Sequence, residues 1–133
     1  MKGTYTLGKD ERVKSRKLIE LLFTGGSSSS FSAFPLRLVY TTVDNTEGEW
    51  IHQPPLQMMV SVSKRKLRHA VQRNRVKRQV REAYRLNKQL LEGKLPEGKS
   101  VIVGLIWLDH SLHDTPQVER KVINLLKRMG EKL

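Results

Sequence analysis

The 133-residue chain predicts an α+β fold in which helices cover one face of a small sheet. Three observations carry this reading. Leu36–Thr42 and Leu56–Val62 are short runs rich in apolar and β-branched residues, bounded by Pro, Asp, Asn and Gly, as strands are. Ser100–Leu108 is almost wholly apolar, which suits a strand covered on one face or on both. Two helical patterns flank that third strand, one over about Ala70–Leu91 and one over about Thr115–Met129. The order is helix, two or three strands, helix, strand, helix, in one domain spanning 1–133.

The first helix starts at Ser15, whose hydroxyl can cap it, and presents Leu18, Ile19, Leu22 and Phe23 as one stripe before Gly25-Gly26 stops it. The serine-rich stretch ending in Phe34 reads as a loop or a short edge strand. In Leu36–Thr42, alternation sets Leu36, Leu38 and Tyr40 on one face against Arg37, Val39 and Thr41 on the other. The connection Val43–Pro55 is long, and Leu56–Val62 is expected to return across it and pair antiparallel with the previous strand. On the Ala70–Leu91 helix, Val76, Val80, Ala83, Tyr84, Asn87 and Leu91 share a side, with Lys and Arg spread over the opposite one. Gly93, Pro96 and Gly98 end it, and the last helix carries Val118, Val122, Leu125, Leu126 and Met129 on one stripe.

Charge is the feature that bears on function. The formal net charge is +12, and Lys64–Lys88 alone holds eleven of the 25 Lys and Arg residues against a single acid, Glu82. A merely solvated helix face carries interspersed acids at i,i+4 spacing, which relieve self-repulsion. Their absence here calls for a polyanionic partner. A membrane is the weaker candidate, because no apolar run approaches the roughly 20 residues of a spanning helix and the first residues lack a signal-peptide core. Zero cysteines exclude disulfides and thiolate metal sites and fit a cytoplasmic location.

Other motifs resolve to ordinary structure. Gly93–Ser100 spells a phosphate-loop pattern, but such a loop needs a strand entering and a helix leaving, and here the order is reversed. Asp109, His110, His113 and Asp114 match no strong metal-ligand spacing and read as turn formers, so no protein-bound metal or cofactor is expected. His52 and His69 have no acid–base partner placed by sequence, and no catalytic constellation is present. Within the basic helix, Arg73, Lys77, Arg81 and Arg85 recur every four residues, a slowly drifting ridge suited to successive phosphates. Arg75 and Arg78 widen it, and guanidinium groups add bidentate contacts and stacking on bases. Tyr40 is equally well read as a cleft residue or a core one.

Taken together, Ser61–Lys64, Ala70-Val71 and Arg73-Asn74-Arg75-Val76-Lys77-Arg78 with Arg81 and Glu82 closely resemble the protein subunit of bacterial ribonuclease P. The likeness extends to the helix ending at Gly26, the strand with Leu38 and Tyr40, and the strand Val101–Trp107. It implies a fold like domain 2 of ribosomal protein S5, a two-layer sandwich of order α-β-β-β-α-β-α with a left-handed βαβ crossover. It also implies that the protein assists a catalytic RNA, whose Mg2+ ions do the chemistry, in removing the 5′ leader of precursor tRNA. The protein alone would then be inactive, with no catalytic residue of its own. By position, Lys64, Arg65, Arg73, Asn74, Arg75, Lys77, Arg78 and Arg81 would meet the catalytic RNA and the nearby leader. Ile19, Phe23, Leu38 and Tyr40 would line a cleft for the single-stranded leader, although family members often carry an aromatic where this chain has Ile19. The competing reading is a structural RNA binder of ribosomal-protein type, which would show no dependence on a leader.

Overall fold

The computed structural model describes residues 12–133 except 14 and 27. Helix α1 (Arg16–Thr24) begins where Ser15 Oγ accepts a hydrogen bond from the Leu18 amide at 3.3 Å. It ends at Gly25-Gly26, with Gly26 in the left-handed region at φ 78°. The serine-rich stretch becomes a short edge strand, β1 (Ser29–Ala33), followed by β2 (Leu36–Asp44) and β3 (Leu56–Ser61). Helix α2 (Ala70–Asn87) runs into a 3-10 turn at Lys88–Leu91, so the expected helix is one regular helix with a tightened end. Strand β4 (Lys99–Trp107) and helix α3 (Thr115–Lys132) complete the α-β-β-β-α-β-α order.

The sheet order is β1-β2-β4-β3, which corrects the expected pairing. β2 and β3 are not neighbours. β4 lies between them, antiparallel to β2 and parallel to β3, so β3-α2-β4 is a parallel crossover. Two physical reasons account for it. The connection 45–55 is too long to impose a hairpin register. β4, buried at every position from Ser100 to Leu105, gains most from the centre of the sheet, where both faces are covered.

The helices divide between the two faces, so the expectation of a single covered face holds for α2 and α3 but not for α1. On one face Leu36, Leu38, Val101, Val103, Leu105 and Trp107 meet Val76, Val80 and Tyr84 of α2 and Val118, Val122 and Leu125 of α3. Each of these fully buried aliphatic side chains contributes roughly 1.5–3 kcal/mol. On the other face Leu18 and Leu22 of α1 pack against Val39, Val43 and Ile102, with Trp50 and Met59 at the margin. The connection 45–55 is therefore structural, since Trp50 seals this smaller core. It is held to the start of β4: the Asn45 side-chain Nδ2 donates to Ser100 Oγ at 3.0 Å, and Ser100 Oγ donates to the Gln53 backbone carbonyl at 3.0 Å.

Glycine 104 lets α1 sit this close. A Cβ there would stand 2.9 Å from Leu22 Cδ2, so the packed Leu22 side chain would have to shift, and in ordinary contact with Phe23 Cζ at 3.5 Å. The segment before α1 adds to the outer edge of β3, where the Val13 amide donates to the Met58 carbonyl at 3.0 Å. No helix among the described residues is long and apolar enough to cross a membrane.

Candidate nucleic-acid interface

Helix α2 sorts its basic residues into two rows. Val76, Val80, Ala83 and Tyr84 are buried, which turns Asn74, Arg75 and Arg78 fully outward. Arg73, Lys77, Arg81 and Arg85 form the half-buried border row one turn apart, as their four-residue spacing requires. Arg85 is engaged by Glu82, its Nε lying 3.0 Å from Glu82 Oε2, so the single acid of the segment neutralises one end of the row. Arg73 Nη1 donates to two backbone carbonyls, Leu67 at 2.9 Å and Arg68 at 2.8 Å. Lys64 and Arg65 are exposed on the turn between β3 and α2, which Ser63 closes by accepting from the Lys66 amide at 3.2 Å.

Two grooves open beside α1, one toward β3 and one toward β1 and β2, and the two together are termed the trough. Ile19 and Phe23, one turn apart, share a side of that helix. Ile19 opens onto a groove of about 320 Å³ with Val13, Met58, Met59 and Val60, flanked by Arg12 and Arg81. Burial, and then the like charge of Arg12, hold the Arg81 guanidinium below its ordinary pKa. Phe23 opens onto a second groove of about 240 Å³ with Ser28, Ser30, Val39, Ile106 and Arg37. Gly104, against Leu22, Phe23 and Met59, lies between the two groups of residues. Each groove sets apolar side chains beside at least one guanidinium, the pairing that bases and phosphates of a short single strand would need.

Of the four residues expected to line a cleft, only Ile19 and Phe23 open onto these grooves, one on each. Leu38 is fully buried in the larger core, and Tyr40, partly buried against that core, stacks on Phe31 with centroids 6.0 Å apart. Both sit on the α2/α3 face because β2 pleats them there, and the opposite phase, Arg37 and Val39, faces the trough. Sequence reasoning missed Arg12, Arg37, Val39, Met59 and Ile106. The available signal was β4, apolar in both phases and broken by one glycine, which indicates a second covered face.

The remaining motifs are structural. Gly93–Ser100 is a turn leading from the 3-10 segment into β4, with a strand leaving it. Asp114 caps α3 by accepting from the Gln117 amide at 2.9 Å. Asp109 Oδ2 meets His113 Nε2 at 2.6 Å, and this hydrogen bond holds the Asp109 carboxyl below the usual range. Among the described residues, no group of three or more His, Cys, Asp or Glu is gathered to hold a metal ion.

Comparison with known proteins decides the family. A sequence model described as Ribonuclease P matches residues 7–130. The chain belongs to the ribonuclease P protein family. It is 39% identical over 129 residues to the ribonuclease P protein component of Porphyromonas gingivalis, covering 96% of this chain and 89% of that one. Among solved structures, the ribonuclease P protein of Thermotoga maritima is similar in fold, with a TM-score of 0.65 at 24% identity over 89% of this chain and 96% of that one. The Staphylococcus aureus protein aligns at 25% identity and a TM-score of 0.58, covering 94% and 93% of the two chains. On this ribonuclease P scaffold, the outward row of α2 and the trough beside α1 are the two surfaces that chemistry singles out.

Proposed function

We propose that the protein is the RNA-binding subunit of the ribonucleoprotein endonuclease that removes the 5′ leader from precursor tRNA. Family membership carries the coarser part, a ribonuclease P protein and so a part of a tRNA-processing enzyme. The finer part rests on one observation: a basic helix with a single acid stands beside apolar grooves bearing Arg12, Arg81 and Arg37. In this reading the outward row, with Lys64 and Arg65, meets the catalytic RNA through phosphates. The trough takes the leader, with Ile19, Phe23 and Met59 against bases and the guanidinium groups against its phosphates. Catalysis belongs to the RNA and its Mg2+, and the protein strengthens substrate binding in the cytoplasm.

Reconstitution with the cognate catalytic RNA at low Mg2+ tests this. The protein is expected to stimulate cleavage of precursor tRNA and to cleave nothing alone; absence of stimulation refutes the proposal. A structural RNA binder would hold the RNA yet make no distinction between precursor and mature tRNA.

Gly104→Val probes the trough separately. The added methyls meet Leu22 and Phe23 and displace α1, at a cost of about 1–3 kcal/mol in stability. Affinity for leader-bearing substrate is expected to fall toward that for mature tRNA, with catalytic-RNA affinity little changed. Titrating both substrates onto the holoenzyme checks it, and a preserved preference for precursor would place the leader elsewhere.

A further inference from the structure

We infer that Arg73 is a positioning residue, acting on RNA through the turn that carries Lys64 and Arg65 rather than through a phosphate of its own. The inference rests on the RNA-binding reading above and divides its basic residues into those that touch and those that hold. The turn has reason to need holding. Lys64, Arg65, Lys66 and Arg68 are four like charges within five residues, and their repulsion favours an extended, mobile segment. The following helix gives little help, since His69 at its N-cap makes no side-chain capping bond and its first turn holds no acid.

Three contacts fix the turn instead. Leu67 is anchored in the larger core at 2% exposure. Ser63 closes the near side, its hydroxyl accepting from the Lys66 amide at 3.2 Å and its carbonyl from the Leu67 amide at 3.1 Å. Arg73 closes the far side by donating from one nitrogen to the carbonyls of both Leu67 and Arg68, at 2.9 and 2.8 Å. Charge-assisted bonds of this kind are about twice as strong as neutral ones, and they set a guanidinium against two carbonyl dipoles at the entry to α2. Arg73 is half-buried in doing so, whereas its neighbours Asn74 and Arg75 are exposed. Two arginines separated by one residue therefore have different roles.

A double-mutant cycle on catalytic-RNA affinity distinguishes holding from touching. Arg73→Met keeps the aliphatic stem and removes the donors. Alone it is expected to weaken binding roughly tenfold, and in a Lys64→Ala/Arg65→Ala background by less than about twofold, because coupled residues are not additive. Equal losses in both backgrounds would show that Arg73 touches RNA itself and overturn the inference. Amide hydrogen exchange of the free protein provides an arm that needs no RNA. Arg73→Met should speed exchange at Lys66 and Leu67 while leaving Val80, in the middle of α2, unchanged. Unchanged exchange in the turn, or equal acceleration at Val80, would also overturn it. Should the wild-type protein fail to bind the RNA, the RNA-binding reading falls, and the exchange arm still decides whether Arg73 holds the turn.

Discussion

Leu38→Ala is expected to cost about 2–5 kcal/mol of stability, the range for emptying a buried leucine site. In the molecules that stay folded, it should leave the preference for leader-bearing over mature tRNA unchanged. Leu38 is fully buried in the core that β2 and β4 build with α2 and α3. Its neighbours are packed by secondary structure on every side and cannot collapse easily into the space. Chemical denaturation measures the first effect, and substrate titration under conditions where the variant is folded measures the second. A small stability change joined to a lost preference for precursor would return Leu38 to the cleft.

The second large effect concerns the outward row. Arg75→Ala combined with Arg78→Ala should weaken assembly with the catalytic RNA by roughly 1.5–3 kcal/mol for each lost charged contact, about tenfold or more apiece. Stability should hardly change, because both side chains are exposed and neither supports the core. The ratio of precursor to mature tRNA affinity, measured on holoenzyme assembled at saturating protein, should be preserved. Normal assembly by the double variant would move the RNA contact off this face of α2.

How far the sequence could be read follows from which signals are local. Ser15 capping α1, the stop at Gly26 and the buried stripe of α2 depend on residues close in the chain, and each appears in the fold as the pattern predicts. Strand order depends on partners distant in sequence. Nothing local states that β4 inserts between β2 and β3, and the proximity of those two strands in the chain favours the wrong pair. The same limit affected the candidate cleft. Alternation splits β2 into two phases, but which phase faces α1 is fixed by β4 and α1 together, which is why sequence alone does not show that Leu38 and Tyr40 meet α2 and α3 while Arg37 and Val39 lie toward α1. The basic row was legible because charge on a helix needs no tertiary knowledge. The internal engagement of Arg73 was not, because it depends on the folded path of the preceding turn.

The connection 45–55 has a consequence for how the molecule arrives at its partner. Asp44 pairs with Lys99 at one end of β4, whereas Ser61, which leads into the turn of Lys64 and Arg65, pairs with Ile106 at the other. Asp44, Glu47 and Glu49 are exposed at the far end of the sheet from that turn, roughly 20–25 Å away at the usual rise per strand residue, where Lys17 pairs with Glu49 and Lys99 lies beside Asp44, so charge there is largely compensated. Among the described residues, excess positive charge is therefore concentrated on the turn and on α2 rather than spread evenly. In the field of a folded RNA, charge placed so unevenly produces a torque before contact, and the turn and the start of α2 lead. Orientation is then selected during diffusion, and salt should slow productive encounter by screening that torque as well as the net attraction.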